Sequence, residues 1–475
     1  MKNLKKTLAL IAALAMSATA LYGCGDEESS SSKKDSSSVA DSSSKESSST
    51  VDSSSTPAAA PELSDDGDKL TILCWNTDDS QPMVDLFCEK TGYKPEQINI
   101  KSFGVQGGQA AEQYTAYLAD ESNDADIMFL EADWCLQFIN DDTQTVPLES
   151  LGLKEDDFSA LYPYVLEIGK STTTGVLKGV SWQSAAGGFC YREDLAEEFL
   201  GVKTPEEMQA KVADWDKFEA TAKELSEKTD GKTALSATLG GVWQVYSGSR
   251  STAWVDADNK LVVDDYCSDY AEFAKTLWTK NYVTQVTQWS DNWKPLGQSD
   301  DVMGFFISTW GFGDAILSAA AGGEGGATFG DWKCIVGPAE FYWGGTWLAP
   351  TTRCDNKTIA KEFIEFFTTK EDTAEAYALS KGEYMSNKNV MEKIIKDKSY
   401  EGAPVLGGQN QFEVLNEVAQ GIDMTGKITP YDAVIKTEFS TAVQDYADGV
   451  YGSVDEALEA FKTNVAGKLP DLNWN

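Results

Sequence analysis

Tryptophans and acidic residues are the side chains of this sequence that are best suited to bind a ligand. The chain of 475 residues has 14 tryptophans, and its 76 acids outnumber its 39 lysines and arginines. An aromatic ring can pack against the flat apolar face of a cyclic ligand, and a carboxylate can accept hydrogen bonds from hydroxyl groups. Any single tryptophan could equally be a core residue. Those beside predicted strand ends or in glycine-rich loops are Trp75, Trp134, Trp182, Trp243, Trp254, Trp289, Trp293, Trp310, Trp343 and Trp347.

The chain has no histidine, and this absence limits the catalytic chemistry of its side chains. Ser-His-Asp and Cys-His catalysis, histidine zinc sites and pH switching by imidazole are all excluded. Seven cysteines follow Cys24, and no two cysteines form a Cys-x-x-Cys pair. We therefore predict that most of these cysteines are buried thiols, and a disulfide such as Cys74–Cys88 has no support from the pattern.

Three short segments begin like known ligand-binding motifs but fail at a required position. The glycine-rich residues 322–326 lack the Lys-Ser/Thr that a phosphate-binding loop needs. Residues 311–313 lack the third glycine of a dinucleotide-binding turn. Residues 256–261 begin like a calcium loop, but Lys260 and Leu261 occupy its fifth and sixth positions. We predict no catalytic residue, no cofactor and no metal ion.

The N-terminus has the order of a secretory signal. Lys2, Lys5 and Lys6 precede an apolar run that ends at Met16, and small residues follow. The run is shorter than the roughly 20 apolar residues that span a membrane. Residues 21–24, Leu-Tyr-Gly-Cys, resemble the bacterial lipoprotein signal. The resemblance implies a signal peptide over residues 1–23 and a lipid on Cys24 whose acyl chains include palmitate. The alternative is an ordinary signal peptide, in which Cys24 carries no lipid.

Residues 24–68 are rich in Ser, Asp, Glu, Lys and Ala and should be disordered, because they cannot bury enough apolar surface. As a flexible coil this linker would span roughly 35 Å and act as a tether. The net charge of the chain is −37, so we expect no nucleic-acid binding, which needs clustered lysines and arginines. Acidity of this kind suits solubility outside the cell.

Strand and helix patterns alternate after the linker. A short apolar run predicts a buried strand at residues 70–75, and residues 98–103 and 126–130 predict a second and a third strand. Helical patterns at residues 84–89 and 112–120 lie between them. This alternation predicts an α/β sheet built from strand–helix–strand units.

Capping residues mark two later helices. Thr204 is followed by Pro-Glu-Glu, and Ser453 by Val-Asp-Glu, both of which predict a helix start. Residues 215–227 place apolar side chains on one face, and so do residues 359–367.

Several segments, taken in order, resemble extracellular solute-binding proteins of ABC transporters, in the carbohydrate-binding group that includes maltose-binding protein. Asp-Ile-Met-Phe-Leu at residues 126–130 is similar to the Pro-Asp-Ile-Ile-Phe strand of the family. Tyr-Arg-Glu-Asp-Leu at residues 191–195 is similar to Tyr-Asn-Lys-Asp-Leu, with Arg192 in place of the usual Asn. Ser-Thr-Trp-Gly at residues 308–311 resembles the Gly-Pro/Ser-Trp segment. The other similar segments are residues 75–79, 179–183, 344–350 and 357–369.

The resemblance implies an α/β, two-lobed, periplasmic-binding-protein-like fold with a hinge and an interlobe ligand cleft. Lobe one would comprise residues 69–183 and 347–405, and lobe two residues 184–346 and 406–475. The lobes would close on the ligand by hinge bending.

The resemblance also implies which residues contact the ligand. Asp133 matches the acidic residue after the third strand, and Trp310 matches the family's stacking tryptophan. The complete set of expected contacts is Asn76, Asp78, Asp79, Asp133, Trp134, Gln183, Trp243, Trp310, Trp343, Trp347 and Tyr431.

The function implied is that of a monomeric receptor of an ABC importer. It would capture a soluble carbohydrate, an oligosaccharide, and deliver it to the transmembrane subunits of a permease without catalysing a reaction. Its expected location is the outer face of the cell membrane of a Gram-positive bacterium, held there by the lipid. Two alternatives stay open: a receptor for a cationic ligand such as a polyamine or basic peptide, and a surface glycoside hydrolase with two carboxylates.

Overall fold

The computed structural model describes residues 62–474, apart from residues 76, 79, 106 and 107. The predicted signal peptide, Cys24 and most of the predicted linker lie outside the described residues, as do Asn76 and Asp79. Within the part that is described, no helix combines the length and the apolar character needed to cross a membrane.

Ten strands and sixteen α-helices make up most of the regular structure of the described residues. The strands are β1 Leu70–Cys74, β2 Ile98–Ser102, β3 Ile127–Glu131, β4 Val180–Ser181, β5 Ala186–Arg192, β6 Ala234–Ser236, β7 Val302–Ser308, β8 Trp332–Ile335, β9 Phe341–Tyr342 and β10 Thr346–Pro350. The helices are α1 Ser80–Thr91, α2 Gly108–Leu118, α3 Cys135–Ile139, α4 Pro163–Ile168, α5 Glu193–Leu195, α6 Pro205–Lys211, α7 Trp215–Lys228, α8 Leu239–Gly248, α9 Asp265–Thr279, α10 Leu317–Ala320, α11 Lys357–Thr368, α12 Glu371–Lys381, α13 Lys388–Lys396, α14 Gln411–Gly421, α15 Asp432–Ala447 and α16 Val454–Lys468.

The first sheet has the strand order β2-β1-β3-β10-β4. β1 pairs in parallel with β2 and β3, and β10 runs antiparallel to β3 and β4. β1 and β10 are buried along their whole length, as a strand covered on both faces must be. The strands and helices predicted from residue 70 to residue 130 are therefore confirmed, with bounds that differ by a few residues.

The second sheet has the order β6-β7-β5-β8, with the short strand β9 also paired to β5. β5 runs antiparallel to β7, β8 and β9, and only β6 and β7 pair in parallel. Helix α14 packs against β5, and helices α15 and α16 pack together against α9. We use lobe one for the first sheet with its helices and lobe two for the second.

Two short connections carry the chain between the sheets. Residues 182–185 join β4 to β5, and residues 343–345 join β9 to β10. Two connections of a few residues let two rigid bodies rotate about a shared hinge. Two of the three predicted lobe boundaries, 183/184 and 346/347, lie in or beside these connections. The third, 405/406, lies in the segment between α13 and α14, and all three stay a prediction.

Both predicted helix caps are present. The Thr204 hydroxyl accepts the backbone N–H of Glu207 at 3.3 Å, and the Ser453 hydroxyl accepts that of Glu456 at 3.2 Å. In each case the glutamate carboxylate accepts the N–H of the residue before the cap, at 2.8 and 2.7 Å. The caps satisfy N–H groups that have no partner inside the helix.

Candidate functional site

A cavity of about 470 Å³ is bordered by residues of both lobes. Lobe one contributes Asp133 and Trp134, which follow the end of β3. Lobe two contributes the larger share, from α8, the connection after β9 and the start of α15. A ligand in this cavity would contact both lobes at once, and its volume lies within the usual range for small-molecule sites, about 300–1,000 Å³.

Aromatic side chains form much of the wall. Trp343 lines the cavity beside Tyr342, and Trp134 approaches from lobe one. Trp134 is held by edge-to-face contacts with Trp75 at 5.9 Å and Tyr114 at 5.4 Å between ring centroids. Rings fixed in this way offer apolar surface without losing side-chain entropy when a ligand binds.

Trp310 packs against Trp343. Its indole N–H donates to the Trp343 carbonyl at 2.8 Å, and the two rings meet edge to face at 5.0 Å. Ser308, at the end of β7, donates to the same carbonyl at 2.9 Å. Two donors on one carbonyl fix the backbone at the second connection, next to the wall residue Trp343.

Trp289 extends this aromatic cluster toward solvent. Its ring is nearly parallel to that of Trp310, with centroids 6.2 Å apart and planes at 15°. The side chain is 56% exposed, and the backbone has φ of 68°, which is strained for a bulky residue. Such strain is often found at ligand-binding sites. In the sequence analysis, Trp289 was one of the tryptophans near predicted strand ends or glycine-rich loops, and it was not among the expected ligand contacts.

Carboxyl groups from both lobes converge near the Tyr342 hydroxyl. Burial, and next the nearby Asp133, raise the pKa of Tyr342 well above its usual range. Burial also raises the pKa of Glu131 well above that of a free glutamate, and the neighbouring Asp133 raises it further. The pKa of Asp432 is raised by burial, while Lys436 opposes the shift. The site therefore presents carboxyl oxygens that can accept or share hydrogen bonds with ligand hydroxyls.

Cationic groups line the same cavity. They are Arg250, Lys427, Lys436 and Lys468. Lys468 forms an ion pair with Glu438, which also lines the cavity. Arg250 donates to Asp264 at 2.9 Å and to the Val262 carbonyl at 3.1 Å. Although the whole chain is strongly acidic, the wall carries charges of both signs.

Four of the residues predicted from the sequence line this cavity, namely Asp133, Trp134, Trp243 and Trp343. Trp243 is mostly buried, and its ring packs against that of Tyr270 with 4.8 Å between the ring centroids. Only a small part of the Trp243 side chain is therefore accessible to a ligand. The positions of these four residues in the cavity wall are consistent with the predicted ligand contacts. Their contact with a ligand stays a proposal.

The remaining predicted residues lie elsewhere. Trp347 is fully buried in β10 and donates to the Val165 carbonyl at 2.9 Å, so we withdraw it as a contact. Gln183 is buried and donates to Glu383 at 3.1 Å, away from the described cavity wall. Trp310 is half-buried and packs against Trp343, and its contact with the ligand stays a prediction. Tyr431 is half-buried and directly precedes Asp432, which lines the cavity. Asp78 is exposed and is not part of the described wall.

The sequence interpretation missed Arg250, Tyr342, Lys436 and Asp432. None of them lies in a recognisable motif. The one available signal was Tyr431, predicted as a contact, which stands next to Asp432 at the start of α15.

Among the described residues, Asp124, Asp126 and Asp355 are close enough to hold a metal ion. The Asp126 oxygens, however, accept backbone N–H groups of Thr71 at 2.6 Å and of Asp355 and Asn356 at 3.0 Å. Burial raises the pKa of Asp126 to about 6. These contacts give the buried carboxyl a structural role in joining β1 to the region before α11.

We expect Glu131→Gln to change how stability depends on pH. Because the pKa of Glu131 is raised in the folded protein, the folded state keeps a proton that the unfolded state releases above about pH 4.3. Wild-type stability should therefore fall from about pH 4.3 toward neutral pH, and the glutamine variant should lose this component. Melting temperatures between pH 4.5 and 7.5 measure the difference. The exposed Glu112→Gln on α2 is the control; parallel curves for wild type and Glu131→Gln would contradict the prediction.

A family model described as bacterial extracellular solute-binding protein matches residues 83–404. No curated protein matches the chain in sequence. Many solved structures match its fold.

An extracellular solute-binding protein of family 1 has a TM-score of 0.71 at 15% identity, and the match covers 84% of this chain and 99% of that one. The ABC transporter-associated binding protein of B. animalis subsp. lactis Bl-04, in complex with beta-1,6-galactobiose, has a TM-score of 0.66 at 16% identity, over 85% and 98% of the two chains. The sugar-binding protein MalE of Xanthomonas citri has a TM-score of 0.65 at 16% identity, with the same coverage. The predicted two-lobed α/β fold is thereby confirmed.

Proposed function

The chain belongs to the bacterial extracellular solute-binding proteins, and from this premise we propose that it captures a carbohydrate, an oligosaccharide, between its lobes. The observation that carries the proposal is the cavity between the lobes, in which Trp343, Trp134 and Tyr342 stand beside Asp133 and Asp432. A sugar ring has an apolar C–H face and a rim of hydroxyls, and this wall offers a partner for each. Structural neighbours include proteins bound to or named for sugars.

Closure on the ligand follows from where the wall residues originate. Asp133 and Trp134 belong to lobe one, whereas Trp343 and Asp432 lie on the side of lobe two. A ligand that contacts both lobes only when they are closed shifts the balance toward the closed state. In our proposal the permease of an ABC importer recognises that closed state, and the receptor works as a monomer.

The family consists of solute-binding proteins, which are not enzymes. We propose that this chain likewise performs no catalysis. Release of reducing ends from an oligosaccharide incubated with the purified protein would instead support a surface glycoside hydrolase.

A cationic ligand is the second candidate, because the carboxyl groups of Glu131, Asp133 and Asp432 all act electrostatically on Tyr342 in the cavity wall. Against it, Arg250 and three lysines line the same cavity and would repel a polyamine. Salt distinguishes the two candidates, since it weakens ionic binding strongly and binding of a neutral sugar hardly at all.

The test is a thermal-shift screen of the purified protein against neutral oligosaccharides, uronic acid oligosaccharides, polyamines and basic peptides. A ligand at 100 times its Kd stabilises the folded state by about 2.7 kcal/mol, which raises the melting temperature measurably. We expect hits among the oligosaccharides, confirmed by calorimetry at 50 and 500 mM salt. Hits confined to polyamines or basic peptides, with strong salt dependence, would overturn the carbohydrate proposal.

We also propose that a lipid on Cys24 anchors the mature protein to the outer face of the cell membrane, with the chain from residue 25 to about residue 61 as the tether. Ser64, Asp65 and Gly67 form hydrogen bonds with residues 355–358 and belong to the folded part, which corrects the predicted linker end at residue 68. Replacing Cys24 with serine removes the thiol that would carry the lipid, so the protein should move from the membrane to the soluble fraction. Cell fractionation and labelling with a palmitate analogue measure this in a Gram-positive host. Cys88→Ala, which keeps Cys24, is the control. Membrane retention and labelling that survive Cys24→Ser would exclude this anchor.

A further inference from the structure

Two cysteines face each other in the second sheet. The antiparallel pairing of β5 and β8 places Cys190 directly opposite Cys334. Both side chains are fully buried, and both are reduced in the structure. Among the described strand pairings, this register is the one that sets two cysteines opposite each other.

The backbone hydrogen bonds of Cys334 show whether it forms a hydrogen-bonded or a non-hydrogen-bonded antiparallel pair with Cys190. Its N–H donates to the Gln409 side-chain oxygen at 2.6 Å, and its carbonyl accepts from the Gln409 amide at 2.7 Å. Both backbone groups are therefore directed away from β5, and Cys190 and Cys334 form a non-hydrogen-bonded pair. In such pairs the Cα atoms are about 4.5 Å apart and the side chains are closest. That separation lies within the range that a disulfide spans, about 4.4–6.8 Å.

Gly188 provides room for the sulfur atoms on this face of the sheet. It lies two positions before Cys190 on β5, so the two residues share a face. A Cβ atom at position 188 would lie only 2.7 Å from the Cys334 sulfur. The absence of a side chain at Gly188 thus leaves space for the Cys334 sulfur on the face of the sheet that also carries Cys190.

We propose that Cys190 and Cys334 form a cross-strand disulfide when the exported chain folds under oxidising conditions. One thiolate attacks a small-molecule or protein disulfide, RS–SR, and displaces one RS⁻ to form a mixed disulfide. The second thiolate then displaces the other RS⁻, so the protein loses two electrons and two protons while RS–SR becomes two RSH. Extracytoplasmic compartments maintain such oxidants.

The bond would join β5 to β8, the last strand in the order of this sheet. It would close a loop of more than about 100 residues, for which chain-entropy models predict substantial stabilisation. Because both sulfurs are fully buried, the bond should form during folding and then resist external reductants.

The experiment uses the full chain, produced without lipid, fully reduced in guanidinium chloride and refolded with reduced and oxidised glutathione. We expect two of the eight cysteine thiols to be lost and a peptide map to join Cys190 to Cys334. The oxidised protein should melt about 5 °C above the same protein refolded in reductant. Cys334→Ala should abolish the cross-link, and Cys88→Ala should leave it intact.

Two results would overturn the proposal. One is eight reactive thiols after oxidative refolding to a folded, cooperatively melting protein. The other is a cross-link that joins different cysteines. If Cys334→Ala fails to fold, the peptide map of the wild-type chain still decides the question. Neither result bears on ligand capture, which the thermal-shift screen tests separately.

Discussion

Trp343→Ala is expected to lower the affinity for the captured carbohydrate at least tenfold, because it removes an indole face from the cavity wall. A tenfold loss corresponds to about 1.4 kcal/mol, a reasonable contribution for one buried aromatic contact. The backbone contacts of residue 343 should survive the change. Its N–H donates to the Ala185 carbonyl, and its own carbonyl accepts from Ser308 and Trp310. We therefore expect a folded protein whose cavity is altered at one side.

Calorimetry with the tightest oligosaccharide from the screen measures this effect. Trp474→Ala is the matched control, because Trp474 is partly exposed near the C-terminus and its indole donates to the Leu469 carbonyl. Unchanged affinity in Trp343→Ala, with a wild-type melting temperature, would remove Trp343 from the site. Trp310→Ala in the same series shows whether Trp310 acts by holding Trp343, since then the double variant should lose little more than Trp343→Ala alone.

Hydrophobic periodicity predicted lobe one well, and the reason is local. The strands at residues 70–74 and 127–131 are short apolar runs, and clear helices lie between the first three strands. Burial of these two strands on both faces leaves a continuous apolar signal in the sequence, whereas the edge strand at residues 98–102 is only partly buried. The helix caps at Thr204 and Ser453 are equally local, because each hydroxyl bonds an N–H three residues further on.

The cavity could be predicted only in part, because its wall is assembled from segments far apart in the chain. Trp343 and Trp347 both lie at the second connection, yet one lines the cavity and the other is buried against Val165. Which of them meets the ligand depends on the direction of β10, and no local pattern gives that direction. Asp432 and Arg250 meet in the wall only because α15 packs near α8 and α9.

Arg250 is a wall residue that is held by several contacts. Its guanidinium donates to Asp264 at 2.9 Å and to the Val262 carbonyl at 3.1 Å, and it lies 4.1 Å from the centre of the Trp254 ring. The side chain is 4% exposed. Asp264 directly precedes α9, and Val262 lies two residues earlier. One side chain thus joins the end of α8 to the start of α9 while also lining the cavity.

We expect Arg250→Ala to lower the free energy of unfolding by about 2–3 kcal/mol. The change removes the guanidinium that donates to the Asp264 carboxylate and the Val262 carbonyl, and it leaves space beside the Trp254 ring. Arg250→Lys should recover only part of this loss, since an ammonium cannot make the two planar hydrogen bonds or stack on the indole in the same way. Urea unfolding followed by far-UV circular dichroism measures both variants.

The control is Lys203→Ala, whose ion pair with Glu197 is exposed at 3.8 Å and should contribute less than about 1 kcal/mol. Equal unfolding midpoints for Arg250→Ala and Lys203→Ala would mean that Arg250 does not stabilise this side of the cavity. A stability loss without a change in carbohydrate affinity would assign it to the scaffold alone.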